Sequence, residues 1–170
     1  MWRMSLTVMF RATGSTRAPG ADAHRRLTLP CRGSTGLRGH HPTGAFRTSF
    51  AKLKIKAGSP PGFDLNEFFT LARNSNGINP VTENVTLKIG TFSVTIPAGS
   101  FQKKRTGSFA FEGIINGVSL QVQIVPLGNN IFTFKAEGTG VDLTALTNPV
   151  TVVLTIGIDA GSTTATAAFQ

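Results

Sequence analysis

A chain of 170 residues with 40% hydrophobic content is long enough to bury one ordinary core, and its formal net charge of +9 makes it basic as a whole. The charge is unevenly placed. Residues 1–48 hold eight Arg (Arg3, Arg11, Arg17, Arg25, Arg26, Arg32, Arg38 and Arg47) against the single acid Asp22, whereas the rest carries seven Lys and two Arg against seven acids, so nucleic-acid binding is not expected of that larger part.

In chain order, residues 1–48 mix Arg, Gly, Ser, Thr, Pro and His without a sustained helical or strand period, and so lack the apolar surface that offsets ordering entropy. This segment is expected to be disordered, either a targeting leader or the product of a start codon set too far upstream. Binding of anionic polymers, nucleic acid included, would rest on its arginines. The domain proper is expected over residues 49–170. From Ala51 the pattern alternates strictly, with Leu53 and Ile55 on one side and Lys52, Lys54 and Lys56 on the other, the period of a half-buried strand. Gly58-Ser59-Pro60-Pro61-Gly62 stops it. A second strand is predicted over Leu65 to Ala72, and a third and fourth over Val85 to Ile89 and Phe92 to Ile96, turning near Gly90. Phe109 and Phe111 mark the next strand, which Asn116-Gly117 joins as a hairpin to Val118, Leu120, Val122 and Ile124, with Ser119, Gln121 and Gln123 facing outward. Phe132, Phe134 and Ala136 continue the alternation beyond Leu127-Gly128-Asn129-Asn130. A last pair spans Val150 to Ile156 and Thr163 to Phe169, with a turn at Asp159-Ala160-Gly161. The fold class is all-β, an antiparallel β-sandwich of about eight or nine short strands.

Asn79-Pro80-Val81-Thr82 recurs as Asn148-Pro149-Val150-Thr151, and the strands that follow, Val85 to Gly90 and Val152 to Gly157, match closely. Upstream, Leu53 to Lys56 matches Leu120 to Gln123, and Phe69-Thr70-Leu71 matches Phe132-Thr133-Phe134. These pairs suggest a duplicated half and predict a sandwich with a two-fold relation, although short alternating strands resemble one another without common descent.

Chemistry is constrained by what the domain lacks. Cys31, Trp2, every Met, and His24, His40 and His41 all precede residue 49. Acyl transfer therefore has no histidine base or thiol there, and zinc has none of its usual nitrogen or sulfur ligands. A single Cys forms no internal disulfide, and no apolar run reaches the roughly 18 residues of a membrane-spanning helix. Glycoside hydrolysis needs only two carboxylates, for which Asp64, Glu67, Glu83, Glu112, Glu137, Asp142 and Asp159 are the candidates. Most of these lie beside predicted turns, where solvated acids are common. Asp142 and Asp159 are also weak candidates for loop-bound calcium. Lys103, Lys104 and Arg105 would contact phosphate or acidic glycans, or simply keep a hairpin tip in solution. No catalytic residue, no cofactor and no metal are expected.

Ser75-Asn76-Gly77-Ile78-Asn79-Pro80 and the stretch Gly90-Thr91-Phe92-Ser93-Val94-Thr95-Ile96-Pro97-Ala98-Gly99-Ser100-Phe101 resemble a recurring β-rich domain of uncharacterised bacterial proteins, many of them exported. The resemblance covers about the last 120 residues. It implies a bacterial, extracytoplasmic or secreted β module and carries over no functional residue. The reading that follows is a non-enzymatic binding or structural module meeting protein or glycan through its loops. The alternative is a carbohydrate-active module, sugar-binding or hydrolytic.

Overall fold

The structure, a computed structural model, describes residues 45–170, which fall within one compact unit. The expectations for residues 1–44 lie outside the described residues. Every regular element described is a strand: β1 (Phe46–Lys56), β2 (Gly62–Leu71), β3 (Val85–Ile89), β4 (Phe92–Ile96), β5 (Gln102–Lys103), β6 (Phe109–Ile115), β7 (Val118–Gly128), β8 (Ile131–Thr139), β9 (Val150–Ile156), β10 (Asp159–Ala165) and β11 (Ala167–Phe169). They form a seven-stranded sheet in the order β11-β1-β2-β8-β7-β6-β5 and a four-stranded sheet in the order β10-β9-β3-β4. The all-β sandwich is as expected, with more strands because β5 and β11 are too short to show as alternation.

The core lies where the two inner faces meet. Leu53, Ile55, Phe63, Leu65, Phe69, Ile124 and Phe134 of the larger sheet and Val85, Ile89, Leu154 and Ile156 of the smaller are all fully buried. Their spacing by two residues is the direct product of the pleat. Phe63 meets Phe92 across the interface with ring centroids 5.7 Å apart, and Phe101 meets Phe111 at 5.8 Å.

Three local results differ from the expected pattern. First, β1 begins at Phe46, on the N-terminal side of the boundary expected at 49, and Phe46 is buried against Phe69 at 4.6 Å. Phe46 and Leu53 differ by an odd number of residues yet both face inward. The bulge between Thr48 and Phe50 supplies the extra residue that resets the phase, while Phe50, on the same phase as Lys52, faces solvent. Second, the final hairpin turns at Gly157, not at Asp159-Ala160-Gly161, which belong to β10. Third, the segment expected as one strand over 163–169 changes sheets after Ala165. β10 pairs with β9, while β11 pairs in parallel with β1, Leu53 beside Ala167. That crossing, with the bridge between Ala45 and Ala160, closes one side of the sandwich.

The strand order carries an approximate two-fold relation. β1-β2 faces β8-β7 in one sheet, and β4-β3 faces β9-β10 in the other. In the smaller sheet the relation extends to single bonds. Leu87 pairs with Leu154 at the centre, Val85 with Ile156 on one side and Ile89 with Val152 on the other. Gly90 N donates to Thr151 O at 2.8 Å, and its counterpart Gly157 N donates to Asn84 O at 3.0 Å. The larger sheet is looser. Leu53 pairs with Leu65, and Leu120 pairs with Gly138. Aligning Leu53 with Leu120 therefore sets Leu65 on Gly138, a register in which Phe69 does not fall on Phe132.

Candidate functional site

The outward residues of the larger sheet form rows that only strand pairing reveals. One row runs Lys52, Asn66, Lys135, Gln123, Ala110 and Gln102 across β1, β2, β8, β7, β6 and β5. The next runs Lys54, Asp64, Glu137, Gln121 and Glu112. Together with Ser100 and Lys104 most of these side chains line a groove of about 980 Å³ on the sheet face. A smaller hollow of about 190 Å³, bounded by Lys52, Lys54, Asp64 and Asn66, adjoins it toward β1. The volume is at the upper end of the range for small-molecule sites, roughly 300–1,000 Å³.

The groove is polar and close to electrically balanced. Its walls carry the carboxylates Asp64, Glu112 and Glu137, the ammonium groups Lys104 and Lys135, and the amides Asn66, Gln102, Gln121 and Gln123. Glu137 accepts a hydrogen bond from Lys56 Nζ at 2.7 Å, an exposed ion pair that holds the Lys56 ammonium above its ordinary pKa. Lys56 reaches Glu137 diagonally across β2, since its own row runs through Gly62 to Thr139 while Glu137 pairs with Asp64. Asn66 Oδ1 is buried and accepts no hydrogen bond from the described residues.

The carboxylates considered for chemistry separate into distinct settings. Asp64 and Glu137 are cross-strand neighbours, and Glu112 lies across β7 from Glu137. Glu67 and Asp159 are not solvated turn acids, since both are 1% exposed. Glu67 falls on the inward phase of β2. The Asp159 carboxylate accepts the Ser75 hydroxyl at 2.9 Å and so ties the loop after β2 to the last hairpin. Glu83 accepts the Asn79 amide at 2.7 Å within the turn before β3. Asp142 Oδ1 accepts from the hydroxyl and the backbone amide of Thr144, at 2.7 and 2.9 Å, and these bonds hold its carboxyl below the usual carboxylate range. No group of three His, Cys, Asp or Glu able to hold a metal is found among the described residues.

Lys103 ends β5, and Lys104 and Arg105 open the exposed turn to β6, where Lys104 N donates to Ser108 O at 2.8 Å. Lys103 Nζ lies 5.8 Å from the ring centroid of Phe109, while Lys104 faces the groove beside Gln102.

Comparison with family models, with curated proteins and with solved structures returned no match. The reading of the site therefore stands on its own chemistry. Sequence alternation identified Gln121 and Gln123 as outward residues, but placing Asp64, Glu137 and Glu112 beside them required the order β2-β8-β7-β6, which no local pattern carries. Among the described residues no helix is long and apolar enough to cross a membrane.

Proposed function

We propose that the chain is a non-catalytic binding module of a secreted or envelope bacterial protein, and that it holds a neutral, hydroxyl-rich ligand, a glycan, in the groove across β2, β8, β7, β6 and β5. The observation that carries this reading is the composition of the groove wall. Amides alternate with three carboxylates and two ammonium groups, so there is no cationic field to attract a polyanion, but there are many donors and acceptors for hydroxyl groups. This moves the expected contact surface from the loops to a sheet face. The approximate two-fold of strand order, the symmetric register of β3 with β9 and the recurrence of Asn-Pro-Val-Thr support descent from a duplicated half.

Titration with neutral oligosaccharides tests the proposal. Binding should persist at high salt, and Gln121→Ala with Gln123→Ala should weaken it about tenfold or more, because each exposed amide loses its ligand bond while nothing in the fold depends on it. Failure of every neutral glycan to bind, or binding indifferent to these changes, overturns the reading. The adjacency of Asp64 and Glu137 favours one second reading, hydrolysis of a bound glycoside by paired carboxylates. Turnover abolished by Asp64→Asn, with binding retained, would select it.

A further inference from the structure

The groove does not end at Asn66. One outward step further along β2 stands Phe68, and one step back along β1 from Lys52 stands Phe50. The two are cross-strand partners on the same solvent face, and they are 38% and 56% exposed. An outward step is about 6.7 Å, the rise of two strand residues and the scale of one sugar ring. Beside them the outward Ile131 is 37% exposed, while the outward Thr133, partner of Phe68, is covered. The hollow bounded by Lys52, Lys54, Asp64 and Asn66 begins one row from this aromatic pair and shares Asp64 and Asn66 with the polar groove.

Solvent-facing phenylalanines need a physical reason. Phe50 faces out because it continues the outward phase of Lys52 and Lys54, and Phe68 because it lies between the inward Glu67 and Phe69. Phe50, Phe68 and Ile131 together leave roughly 250 Å² of apolar surface in water. That is far below the ~800 Å² per partner of a stable protein interface, but it matches the apolar face of one or two sugar rings. Sugar recognition combines a flat apolar contact with hydrogen bonds at the ring edge, and here the aromatic pair and the amide-lined groove share one face.

We propose that Phe50 and Phe68 form an aromatic platform that stacks on a ring of a neutral oligosaccharide whose neighbouring rings lie in the groove. This rests on the reading of the groove as a glycan site and adds to it a preference for length. A ligand confined to the groove would not touch the platform, so affinity should rise between disaccharide and hexasaccharide. The platform supplies that increment.

The test uses the full chain and a series of neutral β- and α-linked gluco-oligosaccharides from two to six units, titrated by calorimetry. The double variant Phe50→Ser, Phe68→Ser should bind the hexasaccharide about tenfold more weakly than the parent and the disaccharide equally well. Phe50→Tyr, Phe68→Tyr keeps the rings and should restore the length dependence, while matching thermal melts show that each variant is folded. Hexasaccharide binding that is weakened by Gln121→Ala and Gln123→Ala but unchanged by the serine variant overturns the platform and leaves the groove standing. No glycan binding at all overturns both. A parent that self-associates in sedimentation, with the serine variant monomeric and its glycan binding unchanged, assigns the patch to contact between copies and also overturns the platform.

Discussion

Gly138 shows how closely the centre of the sandwich is packed. It lies on the inward face of β8, paired with Phe63 of β2, and a Cβ there would run into the Phe63 ring. Phe63 is fully buried, in an interior packed as closely as an organic crystal, so its ring yields only at the expense of its neighbours. Gly138→Ala should therefore destabilise the domain by about 1–3 kcal/mol, the usual cost of overpacking, read from the midpoint of urea unfolding. Gly58, in the loop between β1 and β2, has nothing within 4 Å of the same added atom. Gly58→Ala should stay within about 0.5 kcal/mol of the parent. The two glycines look equivalent in composition, and only the facing ring distinguishes them.

At the scale of elements, β11 is a three-residue strand held by one side chain as much as by its ladder. Asn148 Oδ1 accepts the Ala167 amide at 2.7 Å, and Asn148 Nδ2 donates to the Ala167 carbonyl at 3.0 Å. Ala167 is buried, so losing both bonds leaves a backbone donor and acceptor without these partners. Asn148→Ala should cost about 1–3 kcal/mol and raise hydrogen exchange selectively at residues 167–169. Asn79, the matching residue of the other Asn-Pro turn, is bonded only within its own turn, where its side chain accepts weakly from Val81 N at 3.4 Å. Asn79→Ala should be milder. The repeat Asn-Pro-Val-Thr was legible as a motif, but the unequal roles of its two asparagines were not. One of them faces a strand that crosses between sheets, and a sequence does not show which backbone will stand opposite a turn.

For the whole molecule, closure of one side depends on the first residues of β1. Phe46 pairs with Leu71, Arg47 with Thr70 and Thr48 with Phe69, and Ala45 bridges to Ala160 of the other sheet. A chain shortened to begin at 49 loses these pairs and the buried Phe46 ring, whereas one beginning at 45 keeps them. The shorter chain should be less stable by about 3–5 kcal/mol, comparable to truncating a buried Phe, with the difference measured in guanidinium unfolding. Phe46→Ala in the full chain should reproduce most of that loss. Equal stability of the two shortened chains would mean that β10 and β2 hold the edge without β1's first turn of pairing.

Alternation along the chain determined by itself that this protein is all-β, which residues of most strands face inward, and where the Asn116-Gly117 hairpin turns. These follow from contacts between residues near in sequence, through the two-residue period of the pleat and the positive φ of 51° at Asn116 and 82° at Gly117. Tertiary structure alone decided the rest. The bulge that turns Phe46 inward, the crossing at the end of β10 and the adjacency of Asp64, Glu137, Gln121 and Glu112 depend on which distant strands lie side by side. Strand order is chosen by the fit of the two inner faces over the whole core. The face that carries the groove and the aromatic pair is therefore a consequence of packing on the other side of the sheet.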